Sequence, residues 1–145
     1  MPRLTVWLVR ASLLYLVIGF GVGAVMLSAR ALPIASATAA SLRPLHIEIL
    51  TLGWIVNLGI GVGYWILPRH AVGAERGGLA AVVAAVLLNA GVLLVGAGAA
   101  LGAPFPALVA GRAAEAGAAI AFAVHAWSRI KPYGAGRPAA ERKAT

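Results

Sequence analysis

Four apolar runs, each bounded by charged or turn-forming residues, dominate the chain and restrict the folds open to it. A helix needs roughly 20 apolar residues, in practice about 17–25, to cross a hydrocarbon layer. The first run lies between Arg10 and Arg30 and the second between Arg43 and Arg69. The third extends from about Gly78 to Gly102 and the fourth from about Val109 to Ile130. In lipid every backbone polar group must be satisfied inside its own segment, which selects helices for runs of this length. The expected fold is therefore all-α, an integral membrane four-helix bundle over residues 1–130 with helices at about 8–29, 45–68, 78–101 and 108–130.

Composition supports this class. With 61% apolar residues, 11% charged residues and a mean hydropathy of +0.92, the chain has too little polar surface to cover a water-soluble globule. Turn chemistry separates the runs: Pro33 with Ser36, Thr38 and Ser41, then Arg69 to Gly78, then Pro104-Phe105-Pro106. Residues 131–145, with Gly134, Gly136, Pro138 and interspersed charges, read as a basic, disordered cytoplasmic tail. The chain has no cysteine, which excludes disulfides, thiolate metal sites and thiol chemistry.

The twelve Lys and Arg residues set an orientation, because cytoplasmic segments retain positive charge. Arg3, Arg10, Arg69, Arg76, Arg129, Lys131, Arg137, Arg142 and Lys143 fall on one side, and Arg30, Arg43 and Arg112 on the other. Both termini are thus expected in the cytoplasm of a multi-pass protein of a bacterial-type inner membrane. Trp7, Trp65 and Trp127 agree, since each falls near the cytoplasmic end of its helix, where an amphipathic ring prefers the headgroup level. The net charge of +8 is read as topology and attraction to anionic lipid, with no nucleic-acid partner. The first run also has features of a cleavable signal peptide. Its length and the small face formed by Gly19 and Gly23 favour a retained helix.

Most remaining signals concern packing. Gly19/Gly23, Gly59/Gly63 and the Ala-Gly alternation from Ala90 to Gly102 let helices approach closely. Asn57 and Asn89 fall near the centres of the second and third helices, where each needs a partner, and their mutual hydrogen bond is the plainest solution. At 3.6 residues per turn, His46, Leu50, Gly53, Asn57 and Tyr64 share one face, with Gly53 opening a gap two turns below the histidine. Glu48 points roughly the other way. Together with Arg112 and Glu115 it forms a polar cluster at the non-cytoplasmic end, read as an ion pair or, with His46, as a divalent metal site.

The stretch Arg43-Pro44-Leu45-His46, preceded by an apolar helix and followed by a Gly-rich helix ending Tyr64-Trp65-Ile66-Leu67-Pro68-Arg69, resembles the second-helix region of the haem–copper oxidase catalytic subunit. The nearest branches are the cbb3-type oxidases and the nitric oxide reductases. The likeness covers about residues 10 to 69, and its specific part is residues 43 to 46. It implies that His46 is an axial ligand of a low-spin b haem; Arg43, in the same motif, is a further cofactor-binding candidate, and the opening at Gly53 on the histidine's helical face is where a flat ligand could lie. Short four-helix relatives of that subunit often carry His-x-His where this chain has His46-Ile47-Glu48, so the second ligand is missing at that place. The larger subunit's paired-histidine helix, copper-site histidines and cross-linked tyrosine have no counterparts here, so independent oxygen or nitric oxide reduction is not expected.

A second axial donor must lie at the depth of His46. His125 stands 16 residues after Val109, about 24 Å along the helix at 1.5 Å per residue, and is read as an interfacial histidine beside Trp127 and Arg129. Met26, Glu115 or a symmetry-related His46 in a homodimer remain as donors. His70 is expected in a solvated basic loop. The leading expectation is a membrane-bound b-type haem-binding electron-transfer protein or small accessory subunit of a respiratory complex. The alternatives are a cofactor-free structural or assembly subunit, and a small transporter or metal-handling protein using Asn57, Asn89, Glu48 and Glu115.

Overall fold

A computed structural model describes residues 1–30, 36–67, 76–127 and 129–130. Pro33, His70 and the tail from Lys131, with the expectations attached to them, lie outside the described residues. The first helix is Arg3–Arg30. The second is continuous through an α segment Ser36–Glu48, a π-helical segment Ile49–Val56 and an α segment Asn57–Ile66. The third runs Arg76–Val92, passes through a π segment Leu93–Ala97 and ends in Gly98–Leu101. The fourth is Phe105–Trp127.

Four of the described helical stretches, Arg3–Arg30, Ala39–Ile66, Gly78–Leu101 and Phe105–Trp127, are long and apolar enough to cross a membrane. The expected all-helical architecture is observed. The second helix nevertheless starts earlier than the expected residue 45: Ser36, Thr38 and Ser41 are helical, and Pro44 lies inside the helix. Proline removes one N–H and crowds the preceding turn, yet membrane helices accommodate it because neighbouring groups re-satisfy the freed backbone. The break between the third and fourth helices follows sequence chemistry. Gly102 takes φ 72°, the left-handed conformation that ends a helix, and Pro106 sits in the first turn of the next, where its missing N–H costs nothing.

Leu8, Ile60, Ala85, Leu88, Val92 and Ala118 form the buried centre, with Tyr15, Leu52 and Phe122 packed around it. Lipid chains are as apolar as leucine, so this centre is held by van der Waals fit and by polar pairs more than by expulsion of water. Glycines set the fit. The first helix meets the second where Gly19 faces Leu50 and Gly23 faces His46, as the small-residue spacing predicts. The third and fourth helices approach closely at Gly91 and Gly111, where a Cβ on Gly91 would stand 2.8 Å from the Gly111 carbonyl oxygen. Gly59 and Gly63 do not act as the expected pair: Gly63 receives Phe122 of the fourth helix, while the space around Gly59 is open.

Trp7, Trp65 and Trp127 are 72%, 48% and 82% exposed, so all three rings point outward from the bundle, as anchors at a headgroup layer do.

Candidate functional site

The π segment of the second helix reorganises the face expected from regular helical spacing. Each extra residue in a turn rotates everything beyond it by about 100° at 3.6 residues per turn. His46, Leu50 and Gly53 still face the first helix, against Gly23, Gly19 and Tyr15 respectively. Beyond the π segment it is Gly61 that packs on the first helix, against Leu8, while Asn57 and Tyr64 address other neighbours. Asn57 faces Asn89 of the third helix, and Tyr64 stacks on His125 of the fourth with ring centroids 5.2 Å apart. The five residues therefore do not form one ligand-binding face. The gap expected at Gly53 is filled, since a Cβ there would stand 2.8 Å from Tyr15 Cγ.

The cleft beside His46 lies instead on the side of the first helix. It has a volume of about 200 Å³ and is lined by Gly23, Met26, Leu27, Arg30 and His46. The imidazole rests on Gly23, where a Cβ would come within 2.8 Å of His46 Cε1. His46 Nδ1 lies 2.9 Å from the Gly19 carbonyl oxygen. A carbonyl only accepts, so in the neutral ring Nδ1 carries the hydrogen and donates it, and Nε2 keeps the lone pair. A backbone carbonyl on the far ring nitrogen is the contact that orients metal-binding histidines.

The expected juxtaposition of His46 and Met26 is present, for both line the same cleft. The basic residue there is Arg30, whereas Arg43 is exposed and not part of the lining. Arg30 is expected from sequence only as a topology residue; its place one turn after Met26 is the signal that puts it at this cleft. The donor chemistry suits a b haem: an oriented imidazole, a thioether of the type that ligates iron in cytochromes c, and a cation for an anionic edge. The enclosure does not. Cofactor pockets typically measure about 300–1,000 Å³ and bury most of their ligand. This chain supplies one wall.

The second polar assembly lies on the opposite side of the second helix. Arg112 of the fourth helix reaches Glu48 Oε2 through Nη2 and Glu115 Oε2 through Nη1, each at 2.7 Å. Glu48 is 4% exposed. Gly96 of the third helix receives its methylenes, and Gly91 receives those of Glu115. The expected outer cluster of Glu48, Arg112 and Glu115 is therefore formed. The divalent site built from Glu48, Glu115 and His46 is not, because His46 faces the first helix while Glu48 faces the fourth. Among the described residues no three His, Cys, Asp or Glu side chains are placed to hold a metal ion together.

Asn57 and Asn89 exchange two side-chain hydrogen bonds of 3.3 Å, and Asn89 Nδ2 also donates to the Ala85 carbonyl at 2.8 Å. Asn57 is completely buried. The expected mutual pairing is present. His125, expected at an interface, is 3% exposed and stacked between Tyr64 and Phe122, because the turn of the fourth helix that carries it faces inward. Tyr64 is 18 positions beyond His46 on the second helix, so His125 belongs to the other end of the bundle and is not a partner for His46.

Comparison with protein-family models, with curated proteins and with solved structures produced no significant match to any of them.

Proposed function

We propose that this chain is a multi-pass protein of a bacterial inner membrane that binds a b-type haem at His46, serving as an electron-transfer protein or small accessory subunit of a respiratory complex. The observation that carries the reading is the His46–Gly19 contact, which fixes the tautomer leaving Nε2 available, in a cleft shared with Met26 and Arg30. A bound haem supplies one-electron chemistry at its iron. The chain's own residues orient and restrain: Gly19 holds the ring, Gly23 lets it lie flat on the first helix, Met26 offers a thioether at the same depth, and Arg30 meets negative charge at the mouth. The small cleft makes a neighbour part of this proposal, either a second copy contributing its own His46 or another subunit. The cytoplasmic placement of both termini, read from the basic residues, puts the site on the non-cytoplasmic side.

A reduced-minus-oxidised visible spectrum of the purified membrane protein tests the reading, and His46→Ala is the matching variant. A b-type band lost in His46→Ala without loss of the protein supports it; no band in the wild-type protein overturns it. The second reading, a cofactor-free structural or assembly subunit, is favoured by one observation. The Asn57–Asn89 pair and the contacts tying His46 to Gly19 and Glu48 to Arg112 are all made within the chain, as they are in a bundle whose polar groups serve only to align helices.

A further inference from the structure

We propose that Glu48 and Glu115 bind one monovalent metal cation between them, at a site separate from the His46 cleft and independent of the haem reading. The two carboxylates come from different helices and are brought together by one guanidinium, that of Arg112. Arg112 uses only one oxygen of each. Glu48 Oε1 and Glu115 Oε1 are buried with no hydrogen-bond partner, and the side chains retain only 5% and 9% of their exposure. A buried carboxylate oxygen left without a partner is among the costlier defects a membrane helix can carry.

Charge and chemistry identify the missing partner. Two carboxylates and one guanidinium leave a net charge of −1, which one monovalent cation cancels and a divalent ion would overshoot. Both free donors are carboxylate oxygens, which suit hard cations. The backbone supports a built site. The π segment Ile49–Val56 begins at the residue after Glu48, and the π segment Leu93–Ala97 contains Gly96, on which Glu48 rests. Such π segments inside α-helices frequently accompany functional sites.

The test uses the full chain in detergent, with Na+ as the probe and choline as a cation too large to enter, at fixed pH and ionic strength. Thermal stability should rise with the logarithm of Na+ concentration once the site is occupied, and not with choline, following the linkage between ligand concentration and stability. Radiolabelled Na+ should bind at about one ion per chain. Glu48→Gln and Glu115→Gln should each weaken the apparent affinity about tenfold or more, since each removes a charged oxygen donor. The proposal is overturned by equal stabilisation with Na+ and choline, by a response to pH with none to Na+, or by a Na+ increment retained in both glutamine variants. Should those variants fail to fold, the wild-type measurement still decides: no saturable Na+ binding overturns the proposal.

Discussion

His46 Nδ1 lies 2.9 Å from the carbonyl oxygen of Gly19, a residue 27 positions earlier on a neighbouring helix. This contact docks the second helix on the first and, in the neutral imidazole, leaves the lone pair on Nε2, the nitrogen that the proposed haem reading requires. Gly23 makes the approach possible, because a Cβ there would press on the ring at 2.8 Å from Cε1. Gly23→Val should therefore displace the imidazole and reduce haem retention nearly as much as His46→Ala. Gly53→Leu should act differently. It forces Tyr15 aside and loosens the first two helices, so its effect should appear in thermal stability before haem content. Equal haem loss at matched stability in the two glycine variants would contradict this division.

The donor opposite His46 is open to a direct count. If a second copy supplies its own His46, haem should bind at about one per two chains, with a low-spin spectrum, and dilution should release haem and dissociate the dimer together. If Met26 supplies the donor, the ratio should approach one per chain, and Met26→Leu should give a high-spin spectrum while leaving assembly intact. A monomer whose low-spin spectrum survives Met26→Leu rules out both arrangements.

Asn57 and Asn89 satisfy each other, so removing one should be worse than removing both. Asn57→Leu leaves the Asn89 amide with only its bond to Ala85, at a cost of about 0.6–2 kcal/mol, the range for hydrogen bonds between membrane helices. The Asn57→Leu/Asn89→Leu double variant should recover part of that loss. Reversible unfolding of the singles and the double in mixed micelles gives the coupling, and strictly additive losses would show that the pair does not act as a unit.

At the contact between the third and fourth helices, Gly111→Val should be strongly destabilising. Even its first added carbon would stand 2.6 Å from Val95 Cγ2 and 3.3 Å from the Gly91 carbonyl oxygen, with backbone on one side unable to yield. A loss of about 1–3 kcal/mol is expected from overpacking, read as a lower thermal midpoint. Gly59→Ala should be neutral or stabilising, since among the described residues a Cβ there meets nothing within 4 Å beyond its own helix backbone, and alanine is the better helix former. A destabilising Gly59→Ala would instead identify a helix contact with another chain.

Single cysteines give the topology without interference from native thiols, of which the chain has none. Pro104 and Ile130 are exposed at opposite ends of the fourth helix. Pro104→Cys should label from the non-cytoplasmic side and Ile130→Cys from the cytoplasmic side. Labelling of both from the same side would rule out a membrane-spanning fourth helix.

Length and hydropathy by themselves determined the four membrane-length helices of the described residues, because a segment in lipid has few ways to satisfy its backbone and the apolar run needed to do so is visible locally. The same holds for Gly19/Gly23 and for the pairing of Asn57 with Asn89, where spacing or burial leaves one economical solution. Tertiary structure decided what each helix face meets. Regular spacing places His46, Gly53, Asn57 and Tyr64 on one side, but the π segment Ile49–Val56 turns the later residues towards different neighbours, and no residue type within it announces a wider turn. The roles of Arg30 and Gly96 were likewise hidden: one lines the His46 cleft and the other receives Glu48 only because helices distant in sequence are brought alongside them. Local backbone satisfaction is written in consecutive residues. Helix rotation and the meeting of polar side chains arise from packing between segments.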